Sequence, residues 1–385
     1  MTRLLYVSQG YCTHDRRFLE QFMAQEYQVW FLPCAVDRVR YEQRAVPEGV
    51  RGLPPLIAAP FPWGARDWLR ALWRFGQRLR EIKPDLVQAG TVQTGGALAA
   101  AWGCAPLMVM SWGSDVLTVP GRGFWMRRIT QFTLRRAHMV LGDCRAVRDA
   151  VKALSGLDDD QIVWFPWGVE LDRFRPKPSA LGLRRRLNWQ EACVLVSTRG
   201  FEAIHAPMLL AKAMRNVMQA RGDVRVIMLG EGALRPQVER FVVEHGLADR
   251  CLFPGQVCHD ELADYFNEAD LYVSATQSDG SSISLLEAMA CGLPVVVADA
   301  YGNREWVSHG QHGWMYPAGD SQAFEAAIRD AVDQRHLWEA MGRANVAVTS
   351  RRADWRESVR SLTAAHRRLL AGWSGRNGDG RPTNW

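Results

Sequence analysis

A chain of 385 residues, 48% apolar and 23% charged, is too long for one ordinary domain and has the balance of a water-soluble protein, so two domains of similar size are expected. No apolar run reaches the roughly 18 residues that span a bilayer, and the longest, 97–110, is interrupted by Gly103 and Pro106. The net charge of +6 points to acidic partners, namely nucleotide phosphates, anionic lipid or nucleic acid.

The opening MTRLLYVSQG has neither the long apolar core nor the cleavage site of a signal peptide. Eight scattered cysteines, with no Cys-x-x-Cys pair and no histidine at zinc spacing, argue against a disulfide or zinc framework. They are expected to be reduced core thiols of a cytoplasmic protein.

In chain order, a short apolar strand at 4–8 leads into a loop with Gly10, then a helix at 16–24 and a strand at 29–32. Residues 65–83 carry Trp68, Leu69, Leu72, Trp73, Phe75, Leu79 and Ile82 at helical spacing and stop at Pro84. Strand 85–88, helix 94–102, strand 107–110, helix 124–136, strand 139–141, helix 144–154 and strand 162–165 follow. Strictly alternating strands and helices predict a parallel sheet with helices on its faces. The proline- and glycine-containing stretch 166–190 breaks the rhythm and reads as an inter-domain connection. Alternation resumes with strands at 194–197, 224–229, 251–253, 271–274 and 294–297, and with helices at 207–219, 234–245, 261–268 and from Ser282. Helices at 320–336 and 351–370 close the ordered part, and the Gly-, Asn- and Arg-rich tail 371–385 is expected to be disordered.

Open parallel sheets bind ligands at the carboxyl ends of their strands. In the second half those ends carry Arg199, then Gly230-Glu231-Gly232, then 255–257 with Val257, then Asp279-Gly280-Ser281-Ser282. The stretch 279–302, DGSSISLLEAMACGLPVVVADAYG, holds two carboxylates eight residues apart, Asp279 and Glu287. On one continuous helix they would be about 12 Å apart along the axis. The Gly-Ser-Ser instead predicts a loop entering a helix with a serine N-cap, so that Asp279 overhangs the N-terminus and Glu287 projects from the second turn. Free N–H groups between them suit an anion. The alternative for Glu287 is a solvated helix residue, and for Arg199 an ion pair with a surface carboxylate.

Together, LLEAMACGLPVVV, LFPGQV (252–257), MLGEGALRPQVE (228–239), GVELDRFRP (168–176) and HGWMYPAGD (312–320, read as a turn) resemble the donor half of the GT-B glycosyltransferases, specifically the retaining family 4 enzymes. The resemblance implies an α/β fold of two Rossmann-like parallel-sheet domains facing a cleft, with a C-terminal helix crossing back to the first. The domains would be 1–170 for the acceptor and 171–350 for the nucleotide-sugar donor, with 351–370 the returning helix. It also implies a retaining, metal-independent transfer of a hexosyl unit from a nucleoside diphosphate sugar, with no cofactor. The acceptor would be a saccharide or lipid-linked saccharide of bacterial cell-surface polysaccharide or glycolipid synthesis. In the family's Glu-x7-Glu motif the second Glu binds ribose and the first contacts the transferred sugar. Those positions are Glu287 and Asp279 here, the latter one methylene shorter. Arg199 stands for the family's diphosphate-binding Arg, and His205 stands near the place of its Lys. Gly10, His205, Gly230, Glu231, Val257 and 280–282 complete the donor-binding set.

In the first half PDLVQAG (84–90) and SWGSD (111–115) resemble the family's PDxxHxH and HGxD segments, with Gln88 and Trp112 at histidine positions. Asp115 is then a group that orients an acceptor hydroxyl, or else an N-cap. Asp15 reads as a first-turn dipole partner. Basic helices 65–83 and 122–136, the second with no acid at all, combine arginine with tryptophan or phenylalanine. Two readings stand for them: peripheral attachment to an anionic membrane surface, or a solvated basic face with tryptophan turned to the core. Asp158-Asp159-Asp160 is a solvated loop rather than a metal site. Rival functions are a non-catalytic sugar-nucleotide binder and a nucleotide-sugar epimerase on the same fold. Nucleic-acid binding rests on charge alone, with no recognisable module, and is not expected.

Overall fold

A computed structural model describes residues 1–25, 27–36, 42–276 and 280–376, of 374–376 the backbone alone. The chain divides into two compact units, one of Met1–Pro166 together with the residues from Ser358 onward, the other of Trp167–Glu357. The chain thus crosses between units at 166/167 and at 357/358.

The first unit is built on β1 (Arg3–Ser8), β2 (Gln28–Pro33), β3 (Arg51–Gly52), β4 (Leu86–Ala89), β5 (Leu107–Met110), β6 (Met139–Gly142) and β7 (Ile162–Trp164). They lie in the order β3-β2-β1-β4-β5-β6-β7, every pair parallel. Strands β4, β5 and β6 are buried along their whole length, as expected where helices cover both faces of a parallel sheet. Helix Ala65–Ile82 packs through Ala71, Phe75, Leu79 and Ile82, a stripe at the spacing of one helical face.

The second unit contains β8 (Cys193–Ser197), β9 (Val224–Leu229), β10 (Cys251–Gly255), β11 (Leu271–Val273), β12 (Val295–Asp299) and β13 (Gly313–Pro317), in the parallel order β10-β9-β8-β11-β12-β13. In both sheets the chain winds outward from its first strand and then restarts on that strand's other side. The switch points are β1/β4 and β8/β11, and there the loops leaving adjacent strands diverge and open a crevice.

The final helix, Trp355–Arg376, passes into the first unit. There Ser358 Oγ donates to the Pro166 carbonyl (2.7 Å), Thr363 Oγ1 to Gln25 Oε1 (2.8 Å) and His366 Nε2 to Gln88 Oε1 (2.8 Å).

Apart from elements of two to four residues such as β3, three differences from the sequence reading are informative. Residues 313–317 form β13, paired with β12, where the family resemblance implies a turn. Alternation of buried Trp314 and Tyr316 is the strand signal, only five residues long. Helix Trp338–Arg352 has no counterpart in that reading, because its inward stripe includes Gly342, Asn345 and Thr349, which look polar or neutral. The Asn345 amide nitrogen donates to the Leu293 (2.7 Å) and His312 (2.9 Å) carbonyls, while its buried Oδ1 has no partner among the described residues. The last helix begins at Trp355, after a break at Ala353, and continues to Arg376 rather than stopping at 370. Of the expected disordered tail, 377–385 lies outside the described residues.

Candidate functional site

At the β8/β11 switch point, β8 delivers Arg199 two residues past its end, and the segment after β11 delivers Thr276 and then 280–282. The Arg199 guanidinium donates from Nε to Thr276 Oγ1 (3.2 Å) and from Nη1 to Ser284 Oγ (3.0 Å) and Ser282 Oγ (3.3 Å). Its Nη2 is 3.4 Å from His205 Nδ1, which also lies 3.3 Å from Thr276 Oγ1. Facing an arginine donor, Nδ1 presents its lone pair and the imidazole is neutral. Burial first, then the adjacent Arg199 charge, lowers the His205 pKa from 6.5 to about 3. The His205 ring thus joins the cluster as a hydrogen-bonding group rather than as the second cation that a lysine would supply.

Helix Ile283–Ala290 starts on Ser282, the N-cap expected from sequence, but the Ser282 side chain makes no capping bond and points to Arg199 instead. The first-turn N–H groups are left without a side-chain cap beside a guanidinium, an arrangement suited to an anion. Apart from Ser284 and Glu287 the helix is apolar, and Glu287 on its second turn is 3% exposed. A lone buried carboxylate is costly without a partner. Here His259, at the start of helix His259–Asn267, sets Nε2 2.7 Å from Glu287 Oε1. The solvated-residue alternative for Glu287 is therefore wrong. Ser281 is buried beside Ser282, and the Gly280 carbonyl passes so close to Gly302 that a Cβ there would sit 1.9 Å from it. The two ends of the 279–302 stretch thus cross backbone to backbone. Asp279 lies outside the described residues.

The remaining donor-side candidates shape the same edge. Phe201 N donates to the Glu231 carbonyl (2.9 Å) and Leu234 N to the Phe201 carbonyl (2.9 Å), which locks the loops after β8 and β9 together. A Cβ on Gly232, where φ is +154°, would lie 2.5 Å from the Phe201 carbonyl carbon. Gly230 donates to the Gly255 carbonyl (2.8 Å). The Glu231 carboxylate is engaged in an ion pair with Arg235, which also holds Glu239, so its side chain is committed to the helix Arg235–Glu244. Val257 is half-buried two residues beyond β10. Thr276, Ser284 and His259 are site residues that the sequence reading omits. Ser284 had a signal, because SSIS puts a third hydroxyl two residues after Ser282.

In the first unit Gly10 is buried two residues past the end of β1. Asp115 is 4% exposed, and its oxygens accept from Ser111 Oγ (2.6 Å), Trp112 N (3.0 Å) and Val92 N (3.1 Å). It is neither the N-cap, which is Gly113, nor a carboxylate turned outward to an acceptor. It ties the loops after β4 and β5 together. Burial raises its pKa, and those hydrogen bonds oppose the rise. Asp15 is equally buried and accepts from Tyr6 Oη (2.9 Å) and Cys12 N (2.8 Å), so it is a capping-box residue rather than a simple dipole partner. Gln88 is the buried partner of His366, and the Trp112 ring lies 5.6 Å from that of His14.

On the basic helices, Leu69 and Trp73 of Ala65–Ile82 and Phe124, Trp125 and Phe132 of Phe124–Arg136 are exposed, Trp125 by 74%. Arg128 and Arg136 cover the rings of Phe124 and Phe132 at 5.1 and 4.8 Å. Trp68 alone packs inward, against Trp63 at 5.2 Å. The reading with tryptophan turned to the core therefore fails for Trp73 and Trp125. Asp159 pairs with Lys152 (2.9 Å), and among the described residues no group of three or more His, Cys, Asp or Glu could hold a metal. Among the same residues no helix is long and apolar enough to cross a membrane.

Comparison with known proteins places these observations. The pattern of Glycosyltransferase Family 4 matches residues 13–173, and that of Glycosyl transferases group 1 matches residues 192–334. The D-inositol 3-phosphate glycosyltransferase of Geodermatophilus obscurus is 31% identical over 220 residues, 55% of this chain and 48% of that protein. The chain spans about half the length of the curated relatives it matches. Sucrose-phosphate synthase from Thermosynechococcus elongatus superposes with a TM-score of 0.79 at 17% identity, covering 97% of this chain and 100% of that one. Anabaena HepE in complex with UDP-glucose does so with a TM-score of 0.75 at 18% identity, over 97% and 100%. The fold is thus that of the GT-B proteins, two parallel-sheet α/β units with a returning C-terminal helix. The chain belongs to glycosyltransferase family 4, the glycosyl transferases of group 1.

Proposed function

We propose that this chain is a retaining hexosyltransferase using a nucleoside diphosphate sugar, with no metal and no cofactor. One observation carries the reading: a single helix, Ile283–Ala290, presents an uncapped N-terminus against Arg199 and, one turn later, the buried carboxylate of Glu287. A diphosphate at the first and a ribose at the second would lie on consecutive turns, about 6 Å apart along the axis. HepE, a fold relative, binds UDP-glucose, which supports a nucleotide sugar as donor.

In this reading the bond from the anomeric carbon to the diphosphate breaks as the acceptor oxygen bonds on the same face, and the acceptor proton passes to the departing phosphate oxygen. Arg199, the His205 ring and the first-turn N–H groups stabilise the charge that gathers on the leaving group. Asp279 contacts the transferred sugar. The acceptor is a saccharide or lipid-linked saccharide of bacterial cell-surface polysaccharide or glycolipid synthesis. The protein works at the cytoplasmic face of the membrane, held to anionic lipid by exposed Trp73, Phe124 and Trp125 and the arginines around them.

Thermal melting against a panel of nucleotide sugars tests the donor, since a ligand of the folded state stabilises according to its occupancy. The expected result is a rise with one base and sugar, abolished in Glu287→Ala. With that donor, transfer to an acceptor with retained anomeric configuration is expected. Binding without turnover would establish a sugar-nucleotide binder instead, and conversion of the donor sugar without an acceptor would establish an epimerase.

A further inference from the structure

We propose that His259, fixed by Arg173, is the positioning residue of the ribose carboxylate. It pins one oxygen of Glu287 so that the other faces the ribose hydroxyls. The inference rests on the assignment of Glu287 to ribose.

The geometry assigns each proton. Arg173 Nη1 is 3.0 Å from His259 Nδ1, and a guanidinium can only donate, so Nδ1 offers a lone pair and the ring is neutral. The single ring proton then sits on Nε2 and is donated to Glu287 Oε1 at 2.7 Å. Glu287 Oε2 accepts no hydrogen bond among the described residues, although the residue is buried. The terminal torsion of a glutamate is broad, so an unpinned carboxylate would turn freely about it. Anchoring Oε1 sets the direction of Oε2.

The anchor is itself braced. Arg173 is held by Glu170 (2.8 Å) and Asp260 (3.0 Å), and the ring of Phe174 packs 5.1 Å from that of His259 and 6.2 Å from that of Phe266. The charged groups in contact with the imidazole or with Arg173 include Arg173 itself, Glu170, Asp260 and Glu287. Arg173 and Phe174 lie in the 168–176 segment, just after the chain enters the second unit, so the linker residues serve the ribose carboxylate as well as connecting domains. A helix-starting histidine looks incidental in sequence, and only the fold brings it to Glu287.

The test is calorimetric titration of the full chain with UDP, GDP and ADP, taking the one bound most tightly together with its 2′,3′-dideoxy counterpart. Glu287→Ala should weaken the ribonucleotide and leave the dideoxy compound unaffected. His259→Ala should weaken the ribonucleotide about tenfold, the range of a lost bond to a charged group. It should spare the dideoxy compound and add nothing in the Glu287→Ala background. His259→Gln, whose amide can donate to Glu287, should restore most of the loss, and Arg173→Met should weaken in the same selective way. In the unmodified chain, imidazole nitrogen NMR should find the His259 proton on Nε2.

Equal loss for both nucleotides, additivity with Glu287→Ala, or a proton on Nδ1 would overturn the positioning role while leaving the ribose assignment intact. If Glu287→Ala does not discriminate the two nucleotides, or none of the three binds, the ribose assignment falls and the positioning role with it.

Discussion

His366 makes the stability of the first unit sensitive to mild acid. Its imidazole is fully buried, with Nε2 donating to Gln88 Oε1 at 2.8 Å, Nδ1 3.2 Å from Tyr27 Oη, and the ring stacked on Phe22 at 5.4 Å. Burial pushes its pKa from 6.5 down to about 3. A basic group depressed in the folded state binds fewer protons there than in the unfolded chain. Its contribution is therefore complete above pH 6.5 and is lost progressively as pH falls toward 3. At pH 5.0 the unfolded chain gains 1.5 pK units of protonation free energy that the folded chain does not, or about 2 kcal/mol, against less than about 0.1 kcal/mol at pH 7.5. His366→Gln keeps an amide that can donate to Gln88 and removes the titration. It should be less stable than the parent at pH 7.5, through lost ring packing, yet recover about 2 kcal/mol relative to the parent at pH 5.0. Urea unfolding followed by tryptophan fluorescence at the two pH values reads this as a relative midpoint shift of roughly 0.8 M. The two units can unfold separately, so the transition that moves on substitution is the one to compare. A gap between parent and variant that is the same at both pH values, within about 0.5 kcal/mol, would refute the account of a neutral buried histidine.

Arg199→Ala is expected to lower kcat by roughly a hundredfold or more while raising KM for the donor far less, as for a group that acts on leaving-group charge. Equal losses in kcat and donor affinity would assign it to ground-state binding. Asp115→Asn turns an amide N–H toward donors at Val92, Ser111 or Trp112, and thermal melting should show about 1–3 kcal/mol of destabilisation. Unchanged melting with lost turnover would return Asp115 to the chemistry. Phe124→Ser with Trp125→Ser should release the protein from phosphatidylglycerol-containing vesicles in co-sedimentation, and raised salt should weaken the attachment of the parent. Undiminished sedimentation of the double variant would remove this face as the membrane contact.

What was legible in the sequence was whatever depends on a repeating pattern or a local motif. Alternating apolar runs and helical stripes locate nearly every strand and helix, because a parallel sheet covered on both faces demands them. Arg199 is legible because it follows a buried strand at a loop on the carboxyl edge, and Glu287 because it stands on the second turn of the helix that follows the Gly-Ser-Ser loop. What escaped has a physical cause in each case. Helix Trp338–Arg352 packs through Asn345 and Thr349, whose burial is eased because their N–H and O–H donors meet backbone carbonyls. His259 and Gln88 act through partners 28 and 278 residues away, separations at which periodicity says nothing. Asp115 has the right residue type in the right motif, and its orientation inward is a matter of three hydrogen bonds that sequence does not display.

Those inward carboxylates bear on the chemistry of transfer. Asp15 sets the loop after β1 through Tyr6 and Cys12, and Asp115 joins the loop after β4 to the loop after β5 through Val92, Ser111 and Trp112. Both acids are buried and both have raised pKa values for that reason, with hydrogen bonds working against the rise. A buried carboxylate whose oxygens are turned inward to several internal donors is badly placed to take a proton from a substrate hydroxyl, even with a raised pKa, since turning outward would break contacts that hold three loops in place. The acids a sequence reader would nominate as bases in this unit are instead the fasteners of its carboxyl edge. On the proposed function, the departing phosphate takes the acceptor proton, and the carboxylates of this unit keep the loops in shape without entering the reaction.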